Sequence, residues 1–174
     1  MAMDDGDIGW FSPDPRAIIP LEKFHVPHGL KRTLSRNPFE IRIDSAFERV
    51  MCECSAREET WISEVIIESY CELHRRGFAH SVEAWVGGKL AGGLYGVCLG
   101  SAFFGESMFH KVTDASKVAL WALVQRMRQN QFKLLEVQWL TPHLKTFGAI
   151  EIPRHQYMKL LKQSMKETCE FPVD

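Results

Sequence analysis

The chain has 174 residues, 45% of them hydrophobic and 25% charged, with 21 lysines and arginines against 22 acidic residues. This length suits one domain with a substantial core, and the apolar content argues against intrinsic disorder. A net charge of −1 argues against a uniformly basic nucleic-acid binder, so any RNA contact would need a local patch. No apolar run reaches the ~18–20 residues of a membrane span, and the acidic N-terminus does not resemble a signal peptide. With five cysteines, an odd number, these features predict a cytoplasmic protein with reduced thiols.

The first third of the chain predicts few regular elements. Residues 1–12 are acidic and glycine-containing and are predicted to be a tail or remnant ahead of one domain over 13–174. Two prolines around an aspartate in 12–16 predict a rigid turn. Alternating apolar residues in 39–43 then predict a strand.

The middle of the chain predicts a helix followed by three strands. Thr60 is expected to cap a helix whose apolar face ends at Gly77. The strands are predicted over 79–86, 89–99 and 102–109, with turns at the glycines between them. The sequence therefore predicts an antiparallel meander here.

The last third of the chain predicts helices around one strand. Asp114 is expected to cap a helix in which Leu120, Leu123, Val124 and Met127 recur at helical spacing. A short apolar strand is predicted over 133–139. Thr141-Pro142 predicts the start of a short helix, and Pro153 the start of the last one.

This order of elements predicts an α+β fold in which helices pack on a mixed, mostly antiparallel sheet. It resembles the fold of the GCN5-related N-acetyltransferases (a GNAT-like fold). The hairpin over 83–93 fits the second and third strands of that fold.

Polar residues stand out in two of the predicted strands. Glu106 lies among apolar and small neighbours, and Glu136 and Gln138 lie two residues apart in the later strand. Period-two alternation places the side chains of Glu136 and Gln138 on one face of the sheet. A carboxylate beside an amide could hold and polarise an amine nucleophile. The alternative interpretation is a buried polar pair satisfied by the backbone or by a lysine.

Motifs for metals and for covalent catalysis are missing from the sequence. The spacing Cys52-x-Cys54 does not fit a zinc site, and no phosphate-binding loop or serine nucleophile elbow occurs. Ser107 follows Glu106, but nothing pairs it with a base. The sequence therefore predicts no metal and no covalent intermediate.

Aromatic and basic residues allow two interpretations each. Trp61, Trp85 and Trp139 are interpreted as core residues, with base stacking as the alternative. Cations outnumber acids in two stretches, which could contact phosphates or form solvated helix faces. These cations include Lys31, Arg32, Arg36, Lys145, Arg154, Lys159, Lys162 and Lys166.

Nine short segments occur in an order that resembles one family. They are Ser12–Arg16, Thr60–Ile62, His80–Glu83, Gly92–Val97, Gly105–Phe109, Ala115–Lys117, Gln138 with Thr141 and His143-Leu144, Gly148-Ala149 and Ile152–Arg154. Together they resemble the leucyl/phenylalanyl-tRNA–protein transferases, from about Trp10 to Leu161.

The resemblance implies an aminoacyltransferase. Such enzymes move Leu or Phe, and also Met, from aminoacyl-tRNA to the α-amine of proteins that begin with Arg or Lys. The added residue marks the protein for degradation by the bacterial N-end rule pathway. Aminolysis of an activated ester implies no cofactor beyond the aminoacyl-tRNA co-substrate, but it needs a stabilised oxyanion. A monomeric cytoplasmic enzyme is expected.

The resemblance also implies roles for individual residues. Gln138 would contact the attacking amine, and Glu136 would help to draw off its proton. Glu106 would lie in the donor pocket and help to place the basic acceptor, and Trp61 would stack on the terminal adenosine. The substrate pocket would be formed by Leu94, Phe103, Ser107, Met108, Leu120, Leu123, Met127 and Leu135. The tRNA backbone would contact Lys31, Arg32, Arg36, Lys145 and Arg154.

The sequence departs from the family pattern at three places. Glu136 stands where the family has Asp, and His110 stands where it has Ser. The family's small N-terminal domain, with its Gly-Ile-Phe-Pro segment, is expected to be missing, which would weaken tRNA binding unless Trp10 supplies the aromatic.

Two other functions remain open. An acyl-CoA N-acetyltransferase would need a glycine-rich loop at 109–117, but that stretch contains no glycine. A non-catalytic binder of tRNA or of peptides with N-terminal Arg or Lys is the other alternative.

Overall fold

The computed structural model describes residues 8–57 and 60–172, so the acidic start of the predicted tail lies outside it. The described residues form seven strands: β1 (Arg16–Ile18), β2 (Glu40–Ile43), β3 (Ala79–Val86), β4 (Lys89–Leu99), β5 (Ala102–His110), β6 (Leu134–Gln138) and β7 (Ile150–Ile152). They also form six α-helices: α1 (His28–Arg36), α2 (Phe47–Ser55), α3 (Glu64–Arg75), α4 (Ala115–Gln129), α5 (Pro142–Lys145) and α6 (Arg154–Ser164). Within these ranges no helix is both long and apolar enough to cross a membrane.

All seven strands join one sheet in the order β2-β3-β4-β5-β6-β1-β7 within the described chain. Neighbouring strands are antiparallel, except that β5 and β6 run parallel. The parallel pairing ends where Phe104 lies opposite Glu136, although both strands continue. The prediction of an α+β fold with a mixed, mostly antiparallel sheet is confirmed, and β5 and β6 separate beyond this point.

Helices cover both faces of the sheet. One face packs against α4 through residues such as Leu94, Leu120 and Leu135. The opposite face packs against α2 and α3, with Tyr95 and Ile66 in its core. Leu94 and Tyr95 are adjacent on β4 and therefore face opposite layers, as the pleat requires.

The predicted meander matches the structure closely. Strands β3 and β4 have the predicted ends, and β5 extends one residue further than predicted, to His110. Gly87 and Gly88 have φ angles of 54° and 72°, which allow the two-residue turn between β3 and β4. The predicted strand over 39–43 is also confirmed, as β2.

The predicted cap at Thr60 is wrong, and Asp114 occupies the N-cap position of α4 without the predicted side-chain hydrogen bond. Helix α3 begins at Glu64, and the Ser63 side chain accepts from the Ile66 N–H; Thr60 instead accepts from the Ile62 N–H within the preceding loop. Asp114 precedes α4 but makes no side-chain cap. Its carboxylate accepts hydrogen bonds from Thr33 and Lys117, which attaches α1 to the start of α4.

Gly92 places β4 directly against the start of α4. A Cβ atom at this position would lie 2.6 Å from the Ala115 Cβ and 2.9 Å from the Phe109 carbonyl oxygen. We expect Gly92→Ala to lower the free energy of unfolding by about 1–3 kcal/mol, because backbone and helix would have to move apart. Urea unfolding measures this change.

Gly29 provides the matched control for that substitution. It lies in α1, and a Cβ there would meet nothing within 4 Å. Gly29→Ala is expected to leave the stability unchanged or to raise it by up to about 1 kcal/mol, since alanine favours helix. Equal effects of the two substitutions would contradict the role assigned to Gly92.

Candidate active site

A cavity of about 550 Å³ lies where β5 and β6 separate. Strand β5 contributes Glu106, Ser107 and Met108 to its wall, and β6 contributes Leu135 and Gln138. Because the two strands are no longer paired here, the cavity reaches side chains from both faces of the sheet.

One side of the cavity is apolar. It is lined by Leu94, Met108, Leu120, Leu123 and Leu135. These residues come from the sheet and from α4, and they were all predicted to shape a substrate pocket. The wall can accept an aliphatic side chain without β-branching or an aromatic side chain.

Two residues that were predicted for this pocket do not line it. Phe103 and Met127 are each 0% exposed and belong to the core behind the cavity. The ring of Phe103 lies 5.3 Å from that of Phe171, so the C-terminal segment covers it. Both residues support the pocket wall from behind.

Glu106 enters the cavity from a β-bulge. Ser107 is paired with Tyr95 and Gly105 with Gly96, so Glu106 is an extra residue in β5 without a partner on β4. Bulges of this kind redirect a side chain. The carboxylate of Glu106 receives hydrogen bonds from the Tyr70 hydroxyl and, at 3.4 Å, from the Gln138 Nε2.

The environment of Glu106 favours its neutral form. Burial, with a smaller contribution from the nearby Glu136 carboxyl, raises the pKa of Glu106, while Tyr70 and Arg16 oppose the shift; the resulting pKa is about 7. A carboxyl with this pKa changes charge close to neutral pH.

Glu136 lies behind the cavity and is completely buried. Its Oε1 accepts from the Arg16 Nε at 2.7 Å and from the Gln138 backbone N–H at 2.7 Å. Burial raises the pKa of Glu136, and the charge of Arg16 opposes that rise. Glu136 thus contacts the main chain of Gln138 rather than its side-chain amide. The backbone and an arginine satisfy Oε1, where the alternative interpretation expected the backbone or a lysine, whereas the buried Oε2 has no hydrogen-bond partner among the described residues.

Gln138 has an unusual backbone conformation at the end of β6. Its φ angle is 57°, in the left-handed region that residues other than glycine rarely adopt. The Trp139 N–H then donates to the Val137 carbonyl at 2.7 Å. Such strain persists where the surroundings fix it. Here the Glu136 carboxylate holds the Gln138 N–H.

Aromatic side chains surround the open side of the cavity. Trp10, Phe11, Trp61 and Trp139 all line it. Trp10 is 94% and Trp139 47% exposed, so the core interpretation fails for Trp139, whereas Trp85 is buried in the core. The segment predicted to be a tail therefore contributes aromatic surface to the cavity.

The predicted tRNA-contacting cations lie away from the cavity wall. Lys31, Arg32 and Arg36 are on α1, Lys145 is on α5 and Arg154 begins α6. The hydrogen bond between Thr33 and Asp114 places α1 beside the start of α4. Within the described part of the chain these five cations line no part of the cavity.

Polar side chains without a predicted role also line the cavity, among them Arg16, Arg57, Tyr70 and Tyr95. Arg16 reaches Glu136 from 120 positions away in the sequence, and its guanidinium lies 5.0 Å from the centre of the Tyr157 ring. No local pattern marks such a contact. The two tyrosines looked like ordinary apolar-face residues.

No metal centre is present among residues 8–57 and 60–172: no three His, Cys, Asp or Glu side chains lie together in a suitable arrangement. The polar groups of the cavity include the carboxyl of Glu106, the amide of Gln138, the imidazole of His143, the hydroxyls of Tyr70, Tyr95, Ser107 and Thr141, and the guanidinium groups of Arg16 and Arg57. This set can hold and orient an amine or a carbonyl group through hydrogen bonds.

Comparison with known proteins gives a consistent family assignment. A family model described as leucyl/phenylalanyl-tRNA protein transferase matches residues 18–162. A protein of that name from Herpetosiphon aurantiacus is 57% identical over 169 residues, which cover 97% of this chain and 88% of the relative. Relatives of the same name from Akkermansia muciniphila and Paramagnetospirillum magneticum are 55% and 52% identical, covering 94% and 97% of this chain and 87% and 82% of theirs. The chain belongs to the leucyl/phenylalanyl-tRNA protein transferase family.

Proposed function

We propose that this protein transfers Leu, Phe or Met from an aminoacyl-tRNA to the α-amine of proteins that begin with Arg or Lys. The observation that carries the proposal is one cavity that combines an apolar pocket with the half-buried carboxyl–amide pair of Glu106 and Gln138, in a chain of this family. The apolar wall takes the donor side chain, and the Glu106–Gln138 pair faces the reacting groups. The product is marked for degradation by the N-end rule pathway.

The reaction is aminolysis of an ester. The acceptor nitrogen attacks the carbonyl carbon of the aminoacyl ester, a C–N bond forms, and the C–O bond to the ribose breaks. The amine loses a proton, and the released ribose hydroxyl gains one. A metal or redox cofactor is not required by this balance, and aminoacyl-tRNA is the co-substrate.

Gln138 is positioned to act on the attacking amine. Its Nε2 donates to Glu106, which leaves the side-chain carbonyl oxygen to accept a hydrogen bond from the amine. Glu136 holds the Gln138 backbone N–H in its left-handed conformation, so it acts as a positioning residue. By placing Gln138 against the amine, Glu136 contributes to the loss of the amine proton, which is the role that the resemblance implies for it.

The aromatic rim of the cavity and the surface cations bind the aminoacyl-tRNA donor. Trp61 stacks on the terminal adenosine, with the exposed Trp10 close enough to line the same cavity. Lys31, Arg32, Arg36, Lys145 and Arg154 contact the tRNA backbone. We expect a monomeric cytoplasmic enzyme. The separation of the parallel strands β5 and β6 supports a GNAT-like fold.

Radiolabelled Phe-tRNA or Leu-tRNA and a peptide with N-terminal Arg test the proposal directly. We expect label on this peptide and none on a peptide that begins with Gly. Binding of both substrates by intact protein without transfer would favour the non-catalytic binder. Acetylation of the peptide from acetyl-CoA would instead favour the acetyltransferase.

Gln138→Ala is expected to lower kcat for transfer by about 100-fold or more, because the amine loses the group that orients it. Substrate binding should change much less, since the apolar pocket and the aromatic rim remain. Single-turnover transfer and filter binding of Phe-tRNA measure the two effects. A fully active variant would remove Gln138 from the reaction.

A further inference from the structure

One buried hydroxyl group in the cavity has no role in the reaction as described. Tyr95 is 0% exposed, yet it is one of the residues that line the cavity, and its hydroxyl is close enough to Glu106 for the charge of that carboxyl to raise its pKa. Its hydroxyl makes no hydrogen bond to any residue in 8–57 or 60–172. Burying a hydroxyl without a partner costs free energy, and nearly all such groups in proteins are satisfied. A bound ligand can supply the missing bond.

The surrounding rings hold the Tyr95 side chain in one orientation. Its ring meets the Tyr70 ring edge to face at 5.5 Å and the Phe47 ring edge to face at 6.1 Å. On the strand, Tyr95 is paired with Ser107, the residue after the bulged Glu106. The hydroxyl is therefore a fixed group and not a mobile one.

The wall that contains Tyr95 differs chemically from the apolar pocket. Tyr95 and Tyr70 pack on the α2–α3 face of the sheet, whereas Leu94 and Leu120 pack on the α4 face. The Tyr70 hydroxyl is bonded to Glu106, so two phenol rings and a carboxyl meet on one side of the cavity. Aromatic faces and a carboxyl together suit an organic cation.

The two arginines that line the cavity already have other hydrogen-bond partners than Glu106 and Tyr95. Arg16 is paired with Glu136, and Arg57 donates to the backbone carbonyl of Met108. A guanidinium or ammonium group has several N–H donors and no acceptor, so each of its protons needs an oxygen or an aromatic face. Glu106 and the Tyr95 hydroxyl can provide two such oxygens.

We infer that the Tyr95 hydroxyl accepts a hydrogen bond from the cationic side chain of the acceptor's N-terminal residue, next to Glu106. The inference rests on the proposed function, and it makes Tyr95 a specificity-determining residue for the acceptor. The donor Leu or Phe occupies the opposite, α4 side of the cavity and does not reach this hydroxyl.

Tyr95→Phe tests this inference because it removes one oxygen atom and keeps the ring. We expect the KM for a peptide with N-terminal Arg to rise about tenfold, while kcat and the KM for Phe-tRNA stay within about twofold. The melting temperature should stay the same or rise, because the hydroxyl has no protein partner to lose. If Tyr95 had only a structural role, Tyr95→Phe would not raise the KM for the acceptor peptide while leaving the melting temperature undiminished.

Ser164→Ala is the matched control. It removes a buried hydroxyl from α6, where it donates to the Leu160 carbonyl at 3.0 Å, away from the cavity. Both KM values should stay at the wild-type level in this variant.

The possible outcomes separate the inference from the proposed function. If the wild-type protein transfers the amino acid and Tyr95→Phe has an unchanged KM for the acceptor peptide, the inference is wrong and the proposed function stands. A rise in the KM for Phe-tRNA instead of the peptide also overturns it, since the hydroxyl would then serve the donor. If the wild type transfers nothing to the Arg peptide, the proposed function fails and the inference with it.

Discussion

Glu136→Gln is expected to lower the free energy of unfolding by about 3–5 kcal/mol, because it leaves a mostly buried guanidinium without its carboxylate. The side chains of Arg16 and Glu136 are only 15% and 0% exposed, so water replaces the lost carboxylate poorly, and only from the side of Arg16 that lines the cavity. The same Oε1 accepts from Arg16 and from the Gln138 N–H; a neutral amide oxygen holds these two donors less firmly, and a shift of about 1 Å at Gln138 is expected to reduce kcat by about 100-fold. Urea unfolding and single-turnover transfer measure these effects.

Two further variants separate the charge from the shape at this position. Glu136→Asp keeps the negative charge but withdraws the carboxylate by about 1 Å, so it should be more stable than Glu136→Gln and still transfer more slowly than the wild type. The double variant Glu136→Leu with Arg16→Met removes both charges and is expected to be more stable than Glu136→Gln. It should remain inactive, because nothing then holds Gln138. Wild-type stability in Glu136→Gln would contradict the ion-pair argument.

Local patterns predicted the meander and missed two helices. Strands β3, β4 and β5 alternate clearly and are separated by glycine turns, so neighbouring residues contain the signal. Helix α2 was missed although Phe47, Val50, Met51 and Cys54 lie buried at helical spacing. It begins after Ala46, without a side-chain cap, so the usual start signal is lacking. Helix α1, which follows Pro27, also lacks such a cap.

The site shows the same division between local and long-range information. Period-two alternation predicted that Glu136 and Gln138 would share a face, but the left-handed φ of Gln138 ends the alternation at that residue. Glu106 reaches the cavity through a bulge, which depends on how β5 pairs with β4. Arg16 arrives from a distant strand. These features depend on strand pairing, which a single sequence does not display.

The pocket residues show where helical spacing alone is insufficient. Leu120, Leu123 and Met127 follow one another on the apolar side of α4, yet Met127 is 0% exposed and does not line the cavity. The cavity spans only the first turns of the helix, beside the separated strand ends. Phe103 likewise precedes the point at which β5 leaves β6, so both of its neighbouring strands remain paired with it.

Glu106→Gln is expected to stabilise the protein at neutral and alkaline pH. Burial raises the pKa of Glu106 from 4.5 to about 7, so the folded protein binds this proton more tightly than the unfolded chain. The stability that the group contributes is therefore present below about pH 4.5 and is lost as the pH rises through about 7. Glutamine does not titrate, so the advantage of the variant should grow by up to about 3 kcal/mol between pH 4.5 and about pH 8. Urea unfolding over this range measures the difference.

The same substitution is expected to weaken acceptor binding. In the wild type, affinity for a peptide with N-terminal Arg should rise as Glu106 ionises near pH 7, because the carboxylate then attracts the guanidinium. The peptide amine also titrates, but it does so equally for both proteins, so the difference between them reports Glu106. Glu151→Gln, at an exposed position on β7, is the control and should bind as the wild type does.

Opposite changes in stability and binding would identify Glu106 as a site residue. If position 106 served packing alone, glutamine would serve as well as glutamate. Glutamine has the same shape and accepts the Tyr70 hydrogen bond, and it avoids the free-energy cost of burying an ionised carboxylate. A cationic ligand explains the glutamate, because it stabilises the ionised form that folding alone disfavours. Equal peptide affinity of Glu106→Gln and the wild type at about pH 8 would leave the buried charge without this explanation and assign acceptor recognition to other groups of the cavity.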